Sequence, residues 1–339
     1  MFWTTLNNKI MRKLFAILTL SVALAGCDKE PNDNGALDVS LNEPITTSIR
    51  VSVDETRAAG VDSAEGVFVN GVLGSDNDNV TMRYIMQIYM DDVAVTKYVT
   101  YSDEPNVEFT PELIPNRDYR FVVWADVVTE GKKDIDNHYN TKNPESLENI
   151  TLKGEWNAMD ESRDAFTGFT IKENFTGGNV NISLTRPFAK LRIVATDKAE
   201  ALATPVKGLI TYTSSHRAAF NAKTGKAAAA TVADKVHEYT IMSYTADTEE
   251  SYTLFTDYFF AVDDKISLTF AFYEEGVSYP IMNKRYIAEN VSVMSNRITT
   301  IRGNILTGDE KINFGESNIS VTEWGNGGEV LIPGIVPGI

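Results

Sequence analysis

The side chains in this sequence that could do chemistry are one cysteine, three histidines and several clusters of carboxylates. His138, His216 and His237 are far apart and show none of the short spacings typical of metal ligands or of an activated nucleophile. The chain also lacks the GxSxG, HExxH and phosphate-loop motifs. Residues 160–164 (DESRD) could supply the paired carboxylates of a glycosidase, but a chain with 47 acidic residues contains such clusters by chance. We therefore predict no enzymatic activity, no metal site and no cofactor.

Tryptophan side chains are candidates for ligand contact, because an exposed ring can stack on a sugar. Trp124 lies within an apolar segment, residues 119–128 (YRFVVWADVV), so we expect it in the core. Trp156 and Trp324 could stack on a sugar if they are exposed.

Cys27 has no second cysteine with which to form an intramolecular disulfide, so its position is the informative feature. From Met11 the chain has two basic residues, an apolar run over residues 14–24 and then small residues. This is the layout of a secretory signal peptide, which we place at residues 1–26 with Met11 as an alternative start. A buried core cysteine is the alternative interpretation of a single Cys.

Residues 24–27 (LAGC) resemble a bacterial lipobox, whose cysteine is acylated and becomes the first residue of the mature protein. The resemblance implies that Cys27 carries acyl chains such as palmitate and holds the protein in the lipid of an outer membrane. Residues 28–44 are polar and contain Pro and Gly, so residues 27–44 are predicted to be a lipidated, flexible tether.

The charge of the chain restricts its partners. The formal net charge of −16 argues against nucleic acid, which requires a basic surface, and against electrostatic docking on anionic lipid. Nothing after Cys27 approaches the length of an apolar transmembrane helix.

Short alternating segments dominate the rest of the chain and predict an all-β fold. Residues 45–53 (ITTSIRVSV) alternate apolar and polar side chains, and Asp91-Asp92 separates two apolar strands as the turn of a hairpin would. Residues 129–164 are polar and loop-like, and residues 277–282 are predicted to be a strand after a turn at Glu275-Gly276. Because the strands exceed one ordinary β-sandwich, we predict two in tandem, at residues 45–185 and 186–339, the second with an apolar tail.

Five segments in order resemble the fimbrillin-like lipoproteins of Bacteroidales, which are related to type V pilins, and more narrowly a domain-of-unknown-function family within that group. The segments are YRFVVWAD (119–126), ESRDAFTGF (161–169), LTRPFAKLRIVATD (184–197), FNAKTG (220–225) and NRITTIRGNILTG (296–308). The resemblance implies transthyretin-like or fimbrillin-like sandwich domains. It also implies export to the cell surface and cleavage after an arginine by a trypsin-like protease. The cut would release an N-terminal strand, and the C-terminal strand of another subunit would fill the groove.

Arg57 is the candidate cleavage position that this resemblance implies, because it follows the strand ITTSIRVSVDET. A solvated arginine in a turn is the alternative, and Arg50 is a weaker candidate because it lies inside the alternating pattern. The C-terminal segments 319–324 (ISVTEW) and 330–336 (VLIPGIV) are candidate edge or donor strands, although Pro333 removes a ladder donor from the second.

The sequence thus predicts a surface-exposed, lipid-anchored structural or adhesive subunit of a fimbrium, assembled with other fimbrial subunits by strand complementation. The alternative is a monomeric lipoprotein that binds a glycan or a host or bacterial surface protein. A concave patch of exposed aromatic side chains, including Trp156, would distinguish the second from the first. We expect Arg186 to brace the joint between the two sandwiches rather than to contact a ligand.

Overall fold

The structure is a computed structural model, and it describes residues 43–53, 80–141, 146–153, 161–197, 201, 204–228, 230–232, 235–241, 245–248, 251–281, 284–307 and 319–323. These residues all belong to one compact unit. Apart from short 3-10 helices at Glu130–Lys132 and Glu161–Arg163, the regular elements named in this part of the chain are β-strands.

The first group of strands runs from the start of the described chain to residue 184. The strands are β1 (Ile45–Thr46), β2 (Ile49–Val53), β3 (Val80–Met90), β4 (Val93–Ser102), β5 (Asn106–Phe109), β6 (Glu112–Leu113), β7 (Arg117–Thr129), β8 (Tyr139–Asn140), β9 (Ile150–Leu152), β10 (Ala165–Phe175) and β11 (Val180–Leu184).

Two sheets of this group pack face to face as a first sandwich. One sheet has the order β10-β7-β3-β4 and the other the order β11-β2-β5. The apolar core between them contains Ile49 and Val51 of β2, Tyr84 of β3, Phe121 of β7 and Ile182 of β11. Strands β2 and β11 alternate buried and more exposed side chains because only one face of each touches this core.

The second group of strands follows without a long connection. The strands are β12 (Phe188–Ala195), β13 (Lys207–Tyr212), β14 (His216–Arg217), β15 (Ala219–Asn221), β16 (Lys226–Ala227), β17 (Ala230–Val232), β18 (Lys235–Thr240), β19 (Thr245–Thr248), β20 (Ser251–Phe260), β21 (Asp263–Tyr273), β22 (Tyr286–Met294), β23 (Arg297–Gly303) and β24 (Ile319–Glu323).

A second sandwich forms from a sheet of order β17-β14-β20-β12-β23-β24 and a sheet of order β18-β13-β21-β22. Its core contains Leu191 and Ile193 of β12, Phe255 of β20, Phe270 of β21 and Val291 of β22. These side chains come from both sheets, so the sheets bury one common apolar layer.

The two sandwiches connect their principal strands in the same order. In chain order, β2, β3, β4, β5, β7, β10 and β11 of the first correspond to β12, β13, β18, β20, β21, β22 and β23 of the second. In each, the first of these strands pairs parallel with the last and antiparallel with the fourth. The predicted all-β sandwich fold is confirmed, and it contains a topological duplication that the sequence pattern did not indicate.

A third apolar cluster joins the two sandwiches. Trp124 and Val122 of β7 contribute from the first sandwich, and Phe188, Phe220 and Phe260 contribute from the second. Strands β8 and β9 also pair with β15 and β16 in a small antiparallel sheet of order β16-β15-β9-β8. The two sandwiches share this core, and the predicted domain boundary at residue 185 stays a prediction.

The predicted local elements have mixed outcomes. The hairpin at Asp91-Asp92 is confirmed, since β3 and β4 flank these two residues and both have positive φ, at 49° and 67°. The predicted strand at residues 277–282 is wrong over its described part, since residues 277–281 form no strand and contain a bend at residues 278–279, after which Ile281 packs in the second core. Residues 129–164 are not only loop, because they contain β8 and β9.

Candidate functional site

Strand β2 is the only link between β5 and β11 in its three-stranded sheet as described. It pairs antiparallel with β5 through Ile49–Phe109 and parallel with β11 through Ile49–Val180. We call the position that β2 occupies between β5 and β11 the β2 seam. A parallel pair within an otherwise antiparallel first sandwich cannot come from a hairpin, so β2 enters the sheet independently of its neighbours.

The side chains of β2 fill the seam with apolar groups. Ile49, Val51 and Val53 have relative exposures of 0%, 1% and 5%. Arg50 points away from the core, with 63% of its side chain exposed, and lies 4.0 Å from the Glu108 carboxylate across the strand pair. An exposed pair at this distance contributes little, so burial of the three apolar side chains holds β2 in place.

Backbone hydrogen bonds extend along both edges of the seam. On the β5 side, Thr47 N–H donates to the Pro111 carbonyl and Val53 N–H donates to the Pro105 carbonyl, both at 2.9 Å. On the β11 side, Val180 N–H donates to the Ser48 carbonyl at 2.9 Å. Without β2, the edges of β5 and β11 would lie about 9–10 Å apart, which is twice the spacing of adjacent strands. The result would be an apolar groove with unpaired backbone groups on both sides.

Several predicted residues lie outside the described part of the chain. These are Cys27, Arg57, Trp156, Trp324 and residues 330–336. The other candidate donor segment is placed in part: residues 319–323 form β24, which pairs antiparallel with β23 at the edge of the second sandwich. The structure therefore assigns β24 to its own chain as an edge strand.

A buried ion pair connects the two sandwiches. Arg163, at the end of the 3-10 helix before β10, donates to the Asp257 carboxylate on β20 at 3.1 Å, and both side chains are nearly fully buried. The Tyr212 hydroxyl donates to the other carboxylate oxygen at 2.8 Å. Burial, and then the charge of Asp257, raise the pKa of Tyr212 well above its usual value, so the phenol stays a donor.

Arg186 lies in the connection between the two sandwiches, and its expected role as a brace of their joint stays a prediction. Its guanidinium donates to both oxygens of Asp164 at 2.5–2.9 Å, and it lies 4.6 Å from the centroid of the Phe166 ring. Asp164 and Phe166 belong to the first sandwich, whereas Arg186 lies in the connection to β12. Because this charge is already neutralised by a buried carboxylate, Arg186 is a poor contact for an anionic ligand.

A second buried charge cluster lies on the outer face of the first sandwich. Arg83 pairs with Asp126 at 2.7 Å and with Asp136 at 2.8 Å. Burial alone would lower the pKa of Arg83, but the charges and hydrogen bonds of the two carboxylates outweigh it and raise the pKa. Burial works against the charged form of Asp136 too, yet hydrogen bonds from Thr141 and Arg83 lower its pKa. Within this cluster the Arg83 charge is neutralised by two carboxylates.

Two of the other candidate residues, Trp124 and His138, contact their own chain. Trp124 is fully buried and makes an edge contact with the Tyr139 ring at 5.2 Å, as predicted for a core residue. The His138 Nε2 atom lies 2.7 Å from the Ser162 hydroxyl. His216 and His237 belong to β14 and β18, and their side chains are outside the description. Within the described ranges, no group of three or more His, Cys, Asp or Glu side chains could hold a metal ion.

None of the helices in the described segments is both long enough and apolar enough to cross a membrane.

Comparison with protein families relates the chain to one of them. The model of a family of unknown function, DUF6562, matches residues 31–332. The chain is a member of DUF6562. The predicted membership of a domain-of-unknown-function family is therefore confirmed, and in this DUF6562 member the match extends across both sandwiches. No curated protein sequence matches it.

Solved structures with a similar fold include three fimbrial proteins. The tip fimbrial protein Mfa3 from Porphyromonas gingivalis is 12% identical, with a TM-score of 0.45 over 83% of this chain and 100% of that chain. A fimbrial assembly protein from Parabacteroides distasonis is 12% identical, with a TM-score of 0.41 over 77% of this chain and 91% of that chain. The fimbrial anchor protein Mfa2 from Porphyromonas gingivalis is 10% identical, with a TM-score of 0.41 over 82% of this chain and 95% of that chain. At these identities and TM-scores, no activity of these proteins is transferred to this chain.

Sequence reasoning missed the charged residues at the joint. Arg163 and Asp164 belong to the charged cluster of residues 160–164, which has no sequence sign of burial, yet both are buried. Lys223 in the FNAKTG segment contacts the first sandwich: its ammonium lies 2.9 Å from the Asp92 carboxylate and 4.5 Å from the Tyr89 ring centroid. The one sequence feature that points to these residues is the resemblance of their segments to a family. That resemblance marks the positions but does not say which residues they contact.

Proposed function

We propose that this DUF6562 member is a surface-exposed, lipid-anchored structural or adhesive subunit that resembles a fimbrillin and assembles by strand complementation. In this proposal acylated Cys27 holds the precursor in outer-membrane lipid, and cleavage after Arg57 prepares the subunit for assembly at the cell surface. The observation that carries the proposal is the β2 seam, in which an apolar strand fills the gap between two other strands of its sheet.

The burial energy of β2 determines how an exchange would proceed. Burying a valine or isoleucine side chain contributes about 1.5–3 kcal/mol, so the three buried side chains of β2 contribute about 5–9 kcal/mol together. A cut in the chain after β2 would therefore not release the strand by itself. A replacement strand has to enter as β2 leaves, and it must present apolar residues at alternate positions.

The C-terminal tail is the proposed replacement strand. Residues 330, 332 and 336 (Val, Ile, Val) have the spacing of one strand face, with Gly334 between them. Pro333 has no N–H and would cost one ladder bond in the seam. Because residues 319–323 pair with β23 as β24, the segment beyond them is the part of the tail proposed to reach another subunit.

The experiment uses the full precursor, a trypsin-like protease and a synthetic peptide of residues 326–339. We expect hydrolysis of the bond between Arg57 and Ala58, peptide binding only after the cut, and loss of both in Arg57→Ala. Arg50→Ala is the matched control, because Arg50 is an exposed arginine inside β2, and it should be cut and bind like the wild type. Mass spectrometry identifies the new N-terminus, and light scattering measures the oligomeric state.

Cut protein that binds no tail peptide and stays monomeric would refute the assembly step and support the monomeric lipoprotein. A scrambled peptide of the same composition controls for non-specific apolar binding. The anchor is tested separately by metabolic labelling with an alkyne fatty acid, which should label the wild type and not Cys27→Ala. An unlabelled wild type would refute the anchor without affecting the seam.

A further inference from the structure

A pocket of about 340 Å³ opens at the joint between the two sandwiches. Its walls come from β10 and β11 of the first sandwich, the connection to β12, the β15–β16 hairpin, and the turns that follow β20 and β22. The volume is at the lower end of the range for small-molecule sites, and such sites form preferentially where structural units meet.

Three of the five segments that carry the family resemblance meet at this pocket. ESRDAFTGF ends in Gly168 and Phe169, LTRPFAK supplies Thr185 and Arg186, and FNAKTG supplies Gly225. The ion pairs at the joint account for the charged residues of these segments. They do not account for Phe169, an aromatic residue with 41% of its surface exposed at the pocket.

The Phe169 ring is held in place by its neighbours. The Arg120 guanidinium lies 5.5 Å from the ring centroid, and Arg120 itself donates to the Lys223 carbonyl at 2.7 Å. Gly225 has a φ of +66°, and a Cβ there would lie 3.1 Å from the ring, so glycine leaves the ring its space. A fixed, exposed aromatic face loses little conformational entropy when a ligand stacks on it.

The polar groups of the pocket favour an uncharged ligand. The lining residues with hydroxyl groups are Thr167, Ser183, Thr185 and Ser295, and of these the Thr167 hydroxyl already donates to the Val123 carbonyl at 2.9 Å. The lining residues, all within the described ranges, include no Asp or Glu, and the one cation, Arg186, is neutralised by Asp164. A cationic ligand would find no carboxylate in the pocket, and an anionic ligand would find only an arginine that Asp164 already neutralises. A ligand with hydroxyl groups and an apolar face could contact the whole site.

We propose that this pocket binds one neutral sugar residue of a glycan, with a C–H face of the sugar stacked on Phe169 and its hydroxyls on the Ser and Thr side chains. The polarised C–H groups of a pyranose complement the negative face of an aromatic ring. This site is separate from the β2 seam and does not depend on strand exchange.

The test measures binding of neutral monosaccharides (glucose, galactose, mannose, fucose and N-acetylglucosamine) to the full chain by saturation-transfer NMR, followed by a glycan array. We expect at least one sugar to bind, and Phe169→Ala to weaken that binding about tenfold, which corresponds to the loss of one stacking contact. Ile171→Ala is the matched control, since Ile171 is 47% exposed on the same face of β10 but outside the pocket. It should bind within twofold of the wild type.

Thr185→Val keeps the side-chain volume and removes a hydroxyl, so it should also weaken binding while the melting temperature stays that of the wild type. Absence of binding to every sugar, or equal binding by Phe169→Ala and the wild type, would overturn the proposal. Peptide binding by cut Phe169→Ala protein should match the wild type. A failure of the sugar site and a failure of strand exchange are therefore distinguishable.

Discussion

Arg163 is a charged residue whose environment is set almost entirely by tertiary structure. It leaves the first sandwich at the start of β10 and reaches Asp257 in the second, at a separation of 94 residues in sequence. Tyr139 donates a hydrogen bond to the Arg163 carbonyl, so the backbone is held as well as the side chain. Local patterns cannot reveal such a pair, because a buried arginine and a surface arginine have the same sequence neighbours.

Replacing Arg163 with Met tests this pair. A buried ion pair that loses one partner typically costs about 3–5 kcal/mol, because the remaining charge is desolvated without its counter-charge. We expect a decrease of that size in the free energy of unfolding, measured by urea denaturation. Lys207→Met is the control, since Lys207 pairs with Glu238 at 3.2 Å with 39% and 61% of the side chains exposed, and should cost less than about 1 kcal/mol. Equal costs would contradict the structural role of Arg163.

Asp264 gives a prediction for acid pH. The bidentate hydrogen bond from Arg217, at 2.7 and 2.9 Å, lowers the pKa of Asp264 below its usual value. The unfolded chain therefore takes up this proton more readily than the folded one, so the contribution of Asp264 is present above about pH 4 and is lost as the pH falls below it. Between pH 5 and pH 3 the melting temperature of Asp264→Asn should fall less steeply than that of the wild type. Arg217→Met should give the same flattening, and parallel profiles would contradict the assignment.

At the scale of elements, strands are predictable where their side chains alternate or where a turn marks their ends. The β3–β4 hairpin is predictable because two aspartates tolerate the left-handed turn between apolar strands. Strands β8 and β9 are missed because β9 pairs with β15, far along the chain, and short segments carry little pattern of their own. Residues 277–281 are mistaken for a strand because they are rich in apolar side chains, yet of these only Ile281 packs in the second core, and Tyr279 is 59% exposed. The β2 seam is predictable as a strand but not as a position between β5 and β11.

Gly168 allows β10 to lie close to the backbone of β11. A Cβ at this position would lie 2.4 Å from the Ser183 carbonyl oxygen, which is backbone and cannot rotate away. We expect Gly168→Ala to destabilise the fold by about 1–3 kcal/mol, as overpacking does. Gly131→Ala is the control, because a Cβ there would meet nothing within 4 Å, and its effect should be neutral or slightly stabilising. Chemical denaturation compares the two, and equal effects would contradict the close approach.

At the scale of the whole molecule, the third apolar cluster makes the two sandwiches depend on one another. Trp124 and Phe220 lie 6.3 Å apart across the joint, and Phe188 stacks on Tyr139 at 6.1 Å. The sequence predicts two sandwiches but not their shared core, because an apolar residue does not indicate which of two cores it joins. Their common strand order is also invisible in sequence, since topology is set by long-range pairing.

The shared core predicts one cooperative thermal transition. Separating the sandwiches would expose this cluster and the ion pair of Arg163 and Asp257, so neither sandwich should unfold while the other remains intact. Scanning calorimetry should give a calorimetric enthalpy equal to the van't Hoff enthalpy. Two resolved transitions would instead show that the sandwiches are independent domains.

The matching strand orders limit how many incoming strands one subunit could accept. Strand β12 holds in the second sandwich the position that β2 holds in the first, yet only residues 185–187 separate it from β11. It cannot leave its sheet without pulling β11 from the first sandwich. Within the described chain, β2 is preceded only by β1, whose two residues pair with β6 outside the two sheets of the first sandwich. The position of β2 can therefore be vacated by breaking this short pair, without pulling a strand from either sheet. If subunits exchange strands, each accepts a single incoming strand, and the polymer they build is unbranched.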